Sequence, residues 1–101
     1  MIYNQFRNHS GRLVINFSKV PSLLYWWYKR RIIKKFDLKP VTKIVEDLDV
    51  KFQTFQSENG YKISLEWDNW SGFLIVSLDE KSENFVLKIA NFLGYSDQSN
   101  K

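Results

Sequence analysis

Two short runs of the sequence each contain two acidic residues separated by one other residue. Residues 47–49 read Asp-Leu-Asp and residues 66–68 read Glu-Trp-Asp. Paired acids can bind Mg²⁺ or flank a glycosidic bond during its hydrolysis. Neither run has further acids at the spacing of a calcium-binding loop. The two runs therefore indicate either solvated surface acids or an acidic patch that faces a partner.

Other residue types that carry chemistry are scarce. His9 is the only histidine and lies beside Ser10 in a predicted turn, whereas a catalytic histidine needs a nucleophile within reach and a group that orients its ring. The chain has no cysteine, which excludes a disulfide framework, a thiolate zinc site and a thiol nucleophile. Its four glycines each fit a turn or a helix end, so no glycine-rich phosphate loop is predicted. We expect a binding protein without enzymatic activity, metal or cofactor.

Charge divides the chain by position. Residues 1–43 contain ten of the 15 Lys and Arg residues and one acid, Asp37. Residues 44–101 contain the other five bases and ten of the 11 acids. The first part carries +9 and the second −5, which together give the net charge of +4. Such a division predicts a surface that steers charged partners.

A basic and aromatic face is predicted on the first helix. Its members are Trp27, Arg30, Arg31, Lys34 and Lys35. Cations beside exposed aromatic rings can bind phosphates and stack bases, lie on an anionic membrane surface, or dock on a protein partner. In the remaining interpretation the acidic half of the chain covers the apolar part of this face, and the cations are solvated. The residues covered would be Leu23, Leu24, Trp27 and Tyr28.

Hydrophobic periodicity predicts the elements that position these residues. Strands are predicted over residues 2–6 and 12–17, followed by a helix over residues 21–36 that begins at Pro21. The inward face of this helix is predicted to hold Tyr25, Trp26, Ile32, Ile33 and Phe36.

The second half of the chain is predicted to contain two helices around a hairpin. A helix is predicted over residues 41–56, with Leu48 on its core-facing stripe and with a strand over residues 50–56 as the alternative. Alternation predicts an antiparallel hairpin with strands over residues 62–68 and 73–78. Ser82 is a candidate N-cap for a last helix over residues 82–93. The sequence thus predicts an α+β fold of order ββααββα, with helices packed on an antiparallel sheet.

Length and composition indicate one small domain. The chain has 101 residues, of which 44% are hydrophobic and 17% aromatic, enough for a core without metal or disulfide. We expect a single domain over residues 1–101 with a frayed tail at residues 95–101. No signal peptide is predicted, and no apolar run approaches the ~20 residues that span a bilayer. These features favour a soluble, cytoplasmic protein, and the oligomeric state stays open.

The predicted hairpin and last helix carry a family resemblance. The run over residues 63–73, with Trp67 and Trp70, is followed by an apolar strand and the helix over residues 82–93. This pattern, over residues 57–93, resembles small bacterial immunity proteins, the antidotes encoded beside contact-dependent growth-inhibition and related polymorphic toxins. The resemblance implies a protein that forms a heterodimer with a cognate toxin, a nuclease, and occludes its active site or an adjacent surface. Many antidotes to basic nucleases are acidic overall, so either the acidic half alone engages the toxin or the toxin surface is itself acidic.

This hypothesis assigns specific residues to toxin binding. Trp67 is expected in the core, and Trp70 either anchors the partner or folds back on the sheet. Replacing Glu66 and Asp68 by Lys is expected to weaken toxin binding and to leave the fold intact. The predicted toxin-binding residues are Glu66, Asp68 and Trp70, with Glu46, Asp47 and Asp49 as a secondary surface. The alternative function is a nucleic-acid-binding module that uses the basic and aromatic helix face.

Overall fold

The computed structural model describes residues 2–94, in which seven strands form one antiparallel sheet. The spatial order is β1-β2-β7-β6-β5-β3, and β4 pairs with β5 beside this path. The strands are β1 Ile2–Arg7, β2 Leu13–Ser18, β3 Lys39–Pro40, β4 Val45–Glu46, β5 Val50–Gln56, β6 Lys62–Asp68 and β7 Gly72–Ser77. The frayed tail predicted for residues 95–101 lies outside the described residues.

Two helices cover one face of this sheet. Helix α1 (Ser22–Phe36) contacts β6, and helix α2 (Glu83–Phe92) contacts β2 and β7. The main core lies between helices and sheet, and on the opposite face the described residues form a small buried cluster of Val14, Leu74 and Val76. The α+β class and the antiparallel sheet with helices packed on it are therefore as predicted.

Helix α1 turns a slightly different face to the core than the sequence predicted. Tyr25 and Ile32 are buried as expected, but Tyr28 is buried as well, and Trp26 is 38% exposed. The reason is that both tyrosine rings pack against Phe73. The centroid of the Phe73 ring lies 6.0 Å from that of Tyr25 and 5.4 Å from that of Tyr28. This contact draws the two tyrosines inward and leaves Trp26 at the flank of the interface.

The helix predicted over residues 41–56 is wrong. This segment forms β3, β4 and β5, and the alternative strand over Val50–Gln56 is confirmed. The alternation was obscured because the helix-facing side of β5 holds Lys51 and Gln53 beside the single core residue Phe55. Pairing with β6 along the whole length of β5 decides the conformation. The element order is consequently ββαβββββα rather than ββααββα.

The hairpin and last helix agree closely with the sequence. Strand β6 has the predicted bounds, and Trp67 is buried with its Nε1–H donating to the Val20 carbonyl at 2.6 Å. Ser82 precedes α2, but its hydroxyl accepts from the Lys62 N–H at 2.8 Å and makes no cap. Asp79 instead caps the short 3₁₀ turn Glu80–Ser82 by accepting from the Ser82 N–H.

Tyr25 provides a test of how α1 is fastened to the sheet. Its hydroxyl donates to the Leu65 carbonyl at 2.9 Å in a fully buried position. Because Tyr25→Phe removes this donor, we expect the free energy of unfolding to fall by about 1 kcal/mol in denaturant titration. The matched control is Tyr61→Phe, since no hydrogen bond from the Tyr61 hydroxyl is found within residues 2–94. Equal losses in the two variants would contradict a role for the hydrogen bond.

Candidate functional site

The two acidic runs of the sequence meet at one end of the sheet. The β4–β5 turn and the β6–β7 turn lie side by side, with Val50 in register with Asp68. The Asn69 N–H on the second turn donates to the Asp49 carbonyl on the first at 2.9 Å. We call the surface formed by these two turns the acidic tip. Its members are Asp47, Leu48, Asp49, Asp68 and Trp70.

Two carboxylates of the acidic tip stabilise the turns in which they lie by accepting hydrogen bonds from the backbone. Asp68 Oδ1 accepts from the backbone N–H of Trp70 at 2.9 Å and of Ser71 at 2.6 Å. Asp47 Oδ1 accepts in the same way from Asp49 at 2.8 Å and from Val50 at 3.1 Å. Charged acceptors make these bonds strong. Asp68→Lys would remove both of its bonds, so Asn, which keeps the accepting oxygen, is the better replacement for removing charge.

Two large apolar side chains of the acidic tip are exposed. Leu48 is 91% exposed and Trp70 is 78% exposed, so Trp70 does not fold back on the sheet. The sequence reasoning missed Leu48, because the predicted helix over residues 41–56 assigned it to an inward stripe. Its position between two acids is the signal that was available. Exposed apolar groups ringed by charge are typical of a protein interface with an apolar centre and a polar rim.

The remaining two predicted acids lie on strands and are not part of the two turns that form the acidic tip. Glu46 is on β4, opposite Lys51, with 3.9 Å between its Oε2 and the lysine Nζ. Glu66 lies on the sheet face that the helices do not cover, in register with Phe52 and Leu74. The structure thus brings together four of the six predicted residues, Asp47, Asp49, Asp68 and Trp70.

Glu66 is partly buried in this uncovered face, and its ionisation costs stability. Burial raises the pKa of its carboxyl group, and the nearby Asp68 carboxylate raises it further. A carboxyl group whose pKa is higher in the folded state destabilises the fold once it is ionised. The loss begins as the pH rises from the ordinary glutamate pKa of about 4.3.

We therefore expect Glu66→Gln to raise the thermal unfolding midpoint at neutral pH. This gain should vanish in acid, below the ordinary glutamate pKa, where the wild-type carboxyl group is protonated in both states. Thermal melts across this pH range make the comparison, with Glu58→Gln at an exposed turn position as the control. A midpoint that falls at neutral pH, or a gain that persists in acid, would contradict this assignment.

The basic and aromatic face of α1 is exposed. Trp27 is 50% exposed, and the Arg31 guanidinium carbon lies 4.7 Å from the centroid of its ring. Leu23 is 80% exposed, whereas Tyr28 is buried. The interpretation in which the acidic half covers Leu23, Leu24 and Trp27 is therefore wrong. No ion pair joins the α1 cations to an acid within residues 2–94.

Other candidate chemistry finds no geometric support in the described part of the chain. His9 is exposed on the β1–β2 turn. Among residues 2–94, no cluster of three or more His, Cys, Asp or Glu side chains has the arrangement of a metal site. Within the same residues, neither helix has the length and apolar character needed to cross a membrane.

Comparisons with protein-family models, with curated proteins and with solved structures find no match to this chain.

Proposed function

We propose that this protein is an immunity protein that binds a cognate bacterial toxin, a nuclease, and neutralises it by covering its active site or an adjacent surface. The observation that carries this proposal is the acidic tip. Two turns joined by the hydrogen bond between Asn69 and Asp49 present Leu48 and Trp70 together with three carboxylates. The resemblance of residues 57–93 to immunity proteins supports the same function.

The chemistry of the acidic tip matches a cationic cleft. A nuclease must bind phosphates, so its active site carries positive charges. The carboxylates of the acidic tip can pair with these charges. Complementary charge speeds association, and buried aromatic anchors slow dissociation. Trp70 is the candidate anchor, and Asp49 and Asp68 are the flanking charges.

The acidic tip is also held in one conformation before it meets a partner. The hydrogen bonds accepted by Asp47, Asp68 and the Asp49 carbonyl fix both turns in the free protein. Ordering flexible loops costs free energy during association. A preformed tip avoids much of this cost, which suits an antidote that must bind tightly.

The net charge of +4 is compatible with this proposal because the charges are segregated. The α1 cations lie on a surface other than the acidic tip, so the toxin meets a locally acidic surface.

Nucleic-acid binding by the α1 face is the weaker candidate. The exposed Trp27 favours it, but base stacking and phosphate binding give no role to the exposed Leu23.

Capture from a lysate of the native host tests the proposal. We expect the wild-type protein to retain one stoichiometric protein partner after nuclease treatment. The variant Asp49→Asn with Asp68→Asn should retain at least about tenfold less, because each lost charge pair weakens binding by about 1 kcal/mol or more. A matched control, Glu58→Gln with Glu80→Gln, changes the net charge equally at exposed positions outside the acidic tip. Equal recovery with both variants, or recovery of nucleic-acid-associated proteins only, would contradict the proposal.

A further inference from the structure

The outward face of α1 has an unusual composition for a solvated helix. Leu23, Trp26 and Trp27 are exposed in its first half. They line an open hollow of about 640 Å³ together with Ile33 and the cations Lys29, Arg30 and Lys34. The helix therefore presents apolar groups and cations on one continuous surface.

The charge on this helix has one sign. Five cations and no acid occur in α1. Four of the cations, Arg30, Arg31, Lys34 and Lys35, are exposed. No acid within residues 2–94 forms an ion pair with them, so their charge is available to an anionic partner.

We propose that the outward face of α1 binds the surface of an anionic lipid membrane. In this arrangement Leu23, Trp26 and Trp27 enter the boundary between headgroups and acyl chains. Arg30 and Lys34, which line the hollow, contact the lipid phosphates. Surface-bound amphipathic helices combine Trp and Leu with Lys and Arg in this way. Tyr25, Tyr28 and Ile32 hold the opposite side of the helix in the core, so α1 lies on the membrane without leaving the domain.

Lipid accounts for more of this surface than nucleic acid does. Trp27 could stack a base, but an exposed leucine gains nothing from a phosphate backbone. At the acyl boundary, Leu23 and Leu24 lose contact with water, which favours binding. The cations would bind the phosphates of either partner equally, so it is the exposed leucines that favour lipid over nucleic acid.

This binding leaves the acidic tip on a separate surface. The tip lies on turns of the sheet, and the outward face of α1 lies on the far side of the helix from the sheet. The membrane proposal uses no residue of the acidic tip, so it does not rest on the proposed toxin binding.

Vesicle co-sedimentation tests the membrane proposal. The wild-type protein should sediment with vesicles of phosphatidylcholine mixed with phosphatidylglycerol, and much less with phosphatidylcholine alone. Arg30→Gln with Lys34→Gln should lower the partition coefficient about 30-fold, because each cation near an anionic surface contributes about 1 kcal/mol. Lys62→Gln with Lys81→Gln is the control, since it makes the same charge change at exposed positions outside α1.

A leucine variant separates lipid from nucleic acid. Leu23→Ser should weaken sedimentation with the mixed vesicles and leave the unfolding midpoint unchanged, because the side chain is exposed. Absence of sedimentation with the anionic vesicles would overturn the proposal. It would also be overturned if Leu23→Ser had no effect on vesicle binding, or if single-stranded oligonucleotides bound through Arg30 and Lys34 while vesicles did not.

Discussion

Trp70→Ala is expected to weaken binding of the toxin about 30-fold or more, with little change in stability. Central aromatic anchors lose at least ~2 kcal/mol of binding free energy when truncated. Trp70 is the largest exposed side chain of the acidic tip and packs little in the free protein. Its loss should therefore appear mainly as faster dissociation of the complex. Calorimetry or surface plasmon resonance with the captured partner measures the change.

The matched control for Trp70 is Trp27. Both tryptophans are exposed, but Trp27 lies on the outward face of α1. Trp27→Ala should leave toxin affinity unchanged, and circular dichroism should show that both variants are folded. If Trp27→Ala weakened binding and Trp70→Ala did not, the toxin would bind at α1, and the assignment of the acidic tip would be wrong.

Gly72→Ala is expected to produce the largest loss of stability among the substitutions considered. Gly72 has a φ of +90°, and a Cβ at this position would lie 2.4 Å from the Phe17 carbonyl oxygen. The clash is with backbone atoms of β2, so relief requires strands β2 and β7 to shift apart. Left-handed strain and overpacking together should lower the free energy of unfolding by about 3 kcal/mol.

Gly11→Ala is the control that separates the strain of a positive φ from the steric clash with β2. Gly11 has a φ of +76°, and a Cβ there meets nothing within 4 Å. Its substitution should cost only the conformational strain, about 1 kcal/mol. Chemical denaturation of the two variants measures the difference. Equal losses would show that the close approach of β2 to Gly72 does not exist in solution.

The sequence predicted those elements whose inward residues are all apolar. In β6, Ile63, Leu65 and Trp67 alternate with polar residues, and the strand was placed with its observed bounds. Strand β5 does not follow this pattern, because Lys51 and Gln53 occupy its helix-facing side. Lys51 is buried, with its Nζ 5.3 Å from the centroid of the Trp67 ring. Only the tertiary pairing with β6 shows that this segment is a strand.

The candidate site was predictable residue by residue, but its assembly was not. Aspartates at 47, 49 and 68 and a tryptophan at a hairpin tip are readable from the sequence. The hydrogen bond that joins the Asp49 and Asn69 turns depends on β5 being a strand. The predicted helix instead places the two acidic runs on separate elements and Leu48 in the core.

A growth-protection assay tests most directly whether the acidic tip makes this protein an antidote. The captured partner would be expressed from an inducible promoter in cells that also express the wild-type protein or a tip variant. The tip variant combines Trp70→Ala with Asp49→Asn and Asp68→Asn. We expect the partner to stop growth alone, wild-type protein to restore growth, and the folded tip variant to fail. A partner that does not impair growth, or equal protection by the tip variant, would contradict the proposed function.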